Sequence, residues 1–149
     1  MRLRLVFGLL AILAIAQLAP VSRTNPPTET SMPLPIEVQD IFDRACADCH
    51  SNDTSWPWYS RVAPVSWWVA GHVLDGRREF NASTWNRLSE GRRLRMPRRI
   101  WREVSEGAMP PWYYTPIYPR ARLSASDTAT LHAWLLAQPP APELPGPPR

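Results

Sequence analysis

The chain has 149 residues, among them eighteen prolines, eight tryptophans, two cysteines, seventeen arginines and no lysine. A single domain is expected at that length, and six glycines without a Gly-rich cluster exclude a phosphate-cradling loop or a dinucleotide fingerprint. Of the net charge of +4, Arg2, Arg4 and Arg23 account for most, since residues 1–25 hold no acid, and the nearly balanced remainder lacks the electrostatic footprint of a nucleic-acid binder.

Arg2 and Arg4 precede an apolar run from Leu5 to Ala19, the form of an export signal, and Ala14-Ile15-Ala16 offers a small-x-small cleavage site. Extended through Val21, the run approaches the lower limit of about 17–25 residues for a spanning helix. Residues 1–22 therefore read either as a cleaved signal peptide or as an N-terminal membrane anchor over 5–21. In both cases the rest of the chain faces an oxidising exterior. Residues 23–35 read as an extended proline-rich tether, 36–138 as the packed domain, and 139–149, with six prolines, as a disordered tail.

Within the domain, Val38, Ile41, Phe42 and Ala45 keep the spacing of one helical face and predict a helix running into Cys46. Pro64 opens a second helix, with Val65, Trp68, Val69, His72 and Val73 on a face that Gly76 would end. Ser83 caps a short segment containing Trp85 and Leu88. Pro97 opens another helix, with Ile100, Trp101 and Val104, that ends at Gly107. Ser124 and Asp127 form a capping-box-like start for a last helix with Leu131, Trp134 and Leu135 buried, stopped by Pro139. Nothing alternates with period two over a convincing length, so the fold class is all-α with long, proline-marked loops.

Cys46-Ala47-Asp48-Cys49-His50 carries the chemistry. Two cysteines three apart at a helix end can each add to one vinyl group of a haem, and the adjacent histidine reaches the iron from the same side. A redox disulfide and a zinc site compete. The first wants a βαβ context that is missing, and the second wants four ligands, for which only His72 and His132 remain. For the opposite face of the iron the candidates are Met109, in the loop Gly107-Ala108-Met109-Pro110, and His72 on its helical face. Met96 sits among the arginines of residues 92–102, which read as a solvated face, and His132 as a surface or edge residue.

From about Glu37 to Gln138 the chain resembles the small haem-binding domain family of bacterial exported proteins, itself similar to cytochromes c. The resemblance is carried by Cys46-Ala47-Asp48-Cys49-His50-Ser51-Asn52-Asp53-Thr54, Trp56-Pro57-Trp58-Tyr59-Ser60, Ala63-Pro64-Val65-Ser66-Trp67, His72-Val73 with Gly76-Arg77, Met109-Pro110 and Leu123-Ser124. It implies a cytochrome c-like helical fold and one covalent c-type haem held by Cys46 and Cys49, with His50 as proximal ligand. Where the family carries a His-Pro pair after the Met-Pro loop, this chain has Tyr118-Pro119, a departure that favours Met109 or His72 as the second axial residue. Trp56, Trp58, Tyr59, Trp67 and Trp68 are candidate walls of the haem pocket, and Arg61 and Arg77 candidate propionate partners. The expected function is single-electron transfer with a redox partner protein in the periplasm, soluble after cleavage or held to the inner membrane by residues 5–21. A haem sensor or small-ligand binder is the alternative, and a peroxidase-like enzyme with His72 as its acid/base a weaker one. Electron transfer requires no catalytic acid, base or nucleophile.

Overall fold

The computed structural model describes residues 1–140, so all but the first two residues of the expected tail lie outside the described part. Six α-helices and three short 3₁₀ turns make up the described regular structure, with no strand beyond an isolated bridge between Thr30 and Thr84. The all-α class read from the sequence is the class observed.

Helix α1 (Arg2–Ala16) buries none of its side chains. At about 1.5 Å per residue its 15 residues reach about 22 Å, against about 30 Å of bilayer hydrocarbon. Among the described residues no helix is long and apolar enough to cross a membrane. The spanning segment expected over 5–21 is thus interrupted. Pro20 cannot continue a helix, and Gln17 is spent instead on the backbone of Ala63, accepting from its N–H at 2.9 Å and donating to its carbonyl at 3.2 Å.

Residues 23–35 are extended, as five prolines from residue 20 onward dictate, but they are not a loose tether. Prolines supply no N–H, so the domain's own side chains complete the segment's hydrogen bonds. Asn52 Nδ2 donates to the Pro27 carbonyl, Arg77 to the Thr24 carbonyl, and Asn25 Nδ2 donates to Thr54 O. Further along, Glu29 N–H donates to Ser83 O and Met32 N–H to Ala82 O, and the Met32 side chain enters the core. The segment is a strap closed over the motif loop.

Helix α2 (Ile36–Ala45) buries Val38, Ile41, Phe42 and Ala45, the predicted stripe. After a break at Cys46 the chain resumes as the single turn α3 (Ala47–His50). Helix α4 (Val65–Glu79) runs a turn past Gly76, where the sequence predicts a stop. Gly76 serves close approach instead: a Cβ there would stand 2.5 Å from the Cys49 carbonyl oxygen and 3.0 Å from its Cβ.

Helix α5 (Glu90–Ser105) starts a full two turns before Pro97, capped by Ser89, and keeps Pro97 inside. The proline costs only the bond to the Arg93 carbonyl and is buried, so the helix survives it. This earlier start corrects the reading of Met96. It is not on the solvated arginine face but opposite it, 2% exposed, in one core cluster with Phe42, Phe80, Trp85, Leu131 and Trp134. Gly107, at φ +71°, reverses the chain after α5 toward Met109. Helix α6 (Ala125–Leu136) has the predicted capping box between Ser124 and Asp127 and buries Leu131 and Trp134. An Arg44–Asp127 ion pair ties it to α2.

Candidate functional site

The site begins where α2 stops. The turn α3 delivers Cys46, Cys49 and His50 to one side of a cavity of about 230 Å³, whose other walls come from α4 and from the loop of residues 109–118. A second compartment of about 340 Å³ lies between α2, Phe80 and α5. Both are bounded by Ala45, Cys46, His50, Glu79 and Met109, so the two meet at the motif. Together they fall in the range of about 300–1,000 Å³ typical of cofactor sites.

His50 is buried and its ring stacks on Phe80, centroids 4.5 Å apart and planes 13° from parallel. Its Nδ1 lies 3.2 Å from the Phe80 carbonyl, which can only accept, so Nδ1 carries the proton and Nε2 keeps its lone pair. Burial lowers the His50 pKa, which holds the ring neutral, the form that ligates a metal. Neither cysteine is in a disulfide. Burial pushes the Cys46 thiol up to about 12, and burial with the neighbouring Asp48 carboxylate pushes Cys49 to about 11. A redox-active pair wants the opposite, a thiolate stabilised near neutral pH. Among the described residues no group of three or more His, Cys, Asp or Glu side chains is placed to hold a metal ion.

Met109 lines both compartments and is half-exposed; its N–H, like that of Ala108, donates to the Glu103 carbonyl, which fixes the loop to the end of α5. His72 lines the first compartment with its Nδ1 2.8 Å from Trp68 O, the same donor logic leaving Nε2 unengaged. His132 lies away from the cavity, stacked on Trp101 at 4.4 Å.

Of the five aromatic residues singled out as pocket walls, Tyr59 and Trp68 line the first compartment. Trp56, Trp58 and Trp67 line neither. Trp56 donates its indole N–H to Asn25 of the strap, while Trp58 and Trp67 face outward. Arg77 is engaged by Ser51 O, Thr24 O, Asn25 and Thr54 Oγ1, which makes it the clamp between strap and motif loop, and Arg61 is exposed away from the cavity.

The wall that tryptophans were expected to supply is largely tyrosine. Tyr113 packs edge-on against Trp68 and His72, and Tyr114 stacks on Tyr118 at 4.7 Å. Tyr114 donates to Asp48 Oδ2 at 2.6 Å, and Tyr59 to the Tyr118 hydroxyl at 3.2 Å. Burial raises the pKa of both Tyr114 and Tyr118, so the phenols stay protonated. The only sequence signal for this group is the i, i+4 spacing of Tyr114 and Tyr118. Asp48 also accepts the Ser55 N–H at 2.8 Å, so one of the two residues between the cysteines ties the 109–118 loop to the motif.

A neutral histidine with a free lone pair, two neutral thiols beside it and an apolar cavity in front form a donor set that fits a covalently held haem. A family model for a haem-binding domain matches residues 7–137. No curated protein and no solved structure matches the chain.

Proposed function

The chain belongs to the haem-binding domain family, and from that premise we propose that it carries one c-type haem and passes single electrons. The observation that carries this reading is the convergence of Cys46, Cys49 and the pre-oriented, neutral His50 on one cavity. Cys46 and Cys49 would hold the group through thioethers, His50 would be the proximal ligand and Met109 the distal one. When bound, haem supplies a ferric/ferrous couple, whose potential a thioether ligand raises. The residues around it orient and exclude. Phe80 fixes the tautomer of His50, Tyr114 holds the Met109 loop against Asp48, and Trp68, Tyr59 and Tyr113 supply apolar wall to the cavity. The apolar α1 supports export through the membrane, with the domain working in the periplasm beside a redox partner protein.

The experiment is expression in a host competent for cytochrome c maturation. Haem is expected to stay with the chain on denaturing electrophoresis, and a Cys46→Ser/Cys49→Ser variant is expected to lose it. A low-spin spectrum in the parent that turns high-spin in Met109→Ala supports the His50/Met109 pair. His72, with an unengaged Nε2 in the same compartment, is the second reading for the distal ligand, and a spectrum that changes in His72→Ala but not in Met109→Ala would establish it. A high-spin parent would favour a sensor or ligand-binding role instead.

A further inference from the structure

The ten residues from Trp58 to Trp67 fold as a 3₁₀ turn (Trp58–Arg61) leading into the first turn of α4. They leave Trp58, Val62, Val65 and Trp67 exposed, Trp58 by 77%. None of the four lines either cavity compartment, so the haem site does not account for them. Tryptophan is the side chain favoured where hydrocarbon meets water, because its ring is apolar and its N–H is not. Along the sequence the stretch carries charge of one sign: residues 54–74 hold Arg61 and no acidic residue, in a chain with 13 acids. Ala63, in the middle of the stretch, is the residue clasped by Gln17, which directly follows α1, apolar throughout after Arg4. Arg23, donating to Ser60 O, brings a second guanidinium to the same turn. A stretch with exposed apolar side chains and no acid between Asp53 and Asp75 therefore begins at the point where the unburied α1 joins the domain.

We propose that the face built on Trp58, Val62, Val65 and Trp67, with Arg61 and Arg23, seats the domain on the surface of an anionic lipid bilayer. The indoles enter the headgroup boundary, the guanidiniums meet lipid phosphates, and the contact weakens as salt rises. Trp68, next along α4, lines the cavity, so the seated face adjoins the cavity wall. The inference rests on the export reading and is independent of the identity of the distal ligand.

Hydrogen exchange with mass spectrometry on the purified full-length chain, with and without vesicles of equimolar phosphatidylglycerol and phosphatidylcholine, tests it. Vesicles are expected to slow exchange across residues 58–68 by about threefold or more, and α1 independently. A Trp58→Ser/Trp67→Ser variant, whose changes lie at exposed positions, is expected to keep its helical circular dichroism and the α1 protection while losing protection at 58–68. Protection of α1 with none at 58–68 would overturn the seat and leave export standing. Protection at neither would overturn the seat. Protection at 58–68 that survives the double substitution, or that appears without vesicles as protein concentration rises, would assign the face to another cause or to a second copy of the chain and overturn the proposal.

Discussion

Gly76 faces the backbone of Cys49, and backbone cannot swing aside as a long side chain can. Gly76→Ala would put a methyl 2.5 Å from the Cys49 carbonyl oxygen, so α4 must shift away from the motif turn. A loss of about 1–3 kcal/mol in urea unfolding is expected, despite the gain in helix propensity, together with less haem attached per chain. Unchanged stability would mean that α4 and α3 are less tightly registered than the contact implies. Tyr114→Phe is a milder change. It removes one charge-assisted hydrogen bond while Asp48 keeps the Ser55 N–H, so about 1–2 kcal/mol is expected at the urea midpoint.

At the scale of elements, α6 is held at its start by the capping box and by the pairing of Asp127 with Arg44. Burial pushes the Asp127 pKa up, but the Ser124 backbone N–H, Arg44 and the Ser124 hydroxyl outweigh it, so the net shift is downward. A carboxyl with a depressed folded pKa stabilises the fold at pH above its unfolded value, and that contribution disappears as pH falls through the folded one. Parent and Asp127→Asn should therefore differ in urea midpoint at neutral pH and converge in acid, as pH falls through the depressed folded value. A difference that persists in acid would show that the carboxylate charge is not what holds α6.

Helices α2 and α6 were legible because their signals are local: a 3.6-residue stripe in one, a capping box in the other. The two glycine and proline boundaries misled for one reason. Gly76 and Pro97 read as a stop and a start, and both lie inside helices because a tertiary contact decides them, Cys49 in one case and the core in the other. Cys46, Cys49 and His50 were found as a group because five consecutive residues hold the whole motif. The tyrosine wall was not, since Tyr59, Tyr114 and Tyr118 meet only after the 109–118 loop folds back. That Trp56, Trp58 and Trp67 line neither compartment is not legible locally, because bulk alone does not say which side of a turn faces in. Nor is the strap's attachment, because its partners, Asn52, Arg77 and Ser83, lie dozens of residues away.

For the whole molecule, a packed part of about a hundred residues buries a limited share of its surface, and a bound group that joins its elements counts for more than in a larger protein. The two cavity compartments draw walls from α2, α4, α5 and the 109–118 loop, so a haem fixed there would connect all four. The haem-loaded chain is expected to melt more than about 10 °C above the Cys46→Ser/Cys49→Ser variant, given a few degrees per kcal/mol at this size. Equal melting temperatures would mean that the protein part is complete without it.

The strap sets a timetable as well as a structure. Thr24 is bound by Arg77, 53 residues further along the chain, and Pro27 by Asn52. In a chain that emerges N-terminus first, the strap is out long before Arg77 and Ser83 exist to receive it, and so are Cys46 and Cys49. The motif turn therefore passes through an interval in which the strap lacks the Arg77 clamp that ties it to the motif loop. Attachment of a cofactor by an external catalyst would have that interval in which to act, before the clamp shuts.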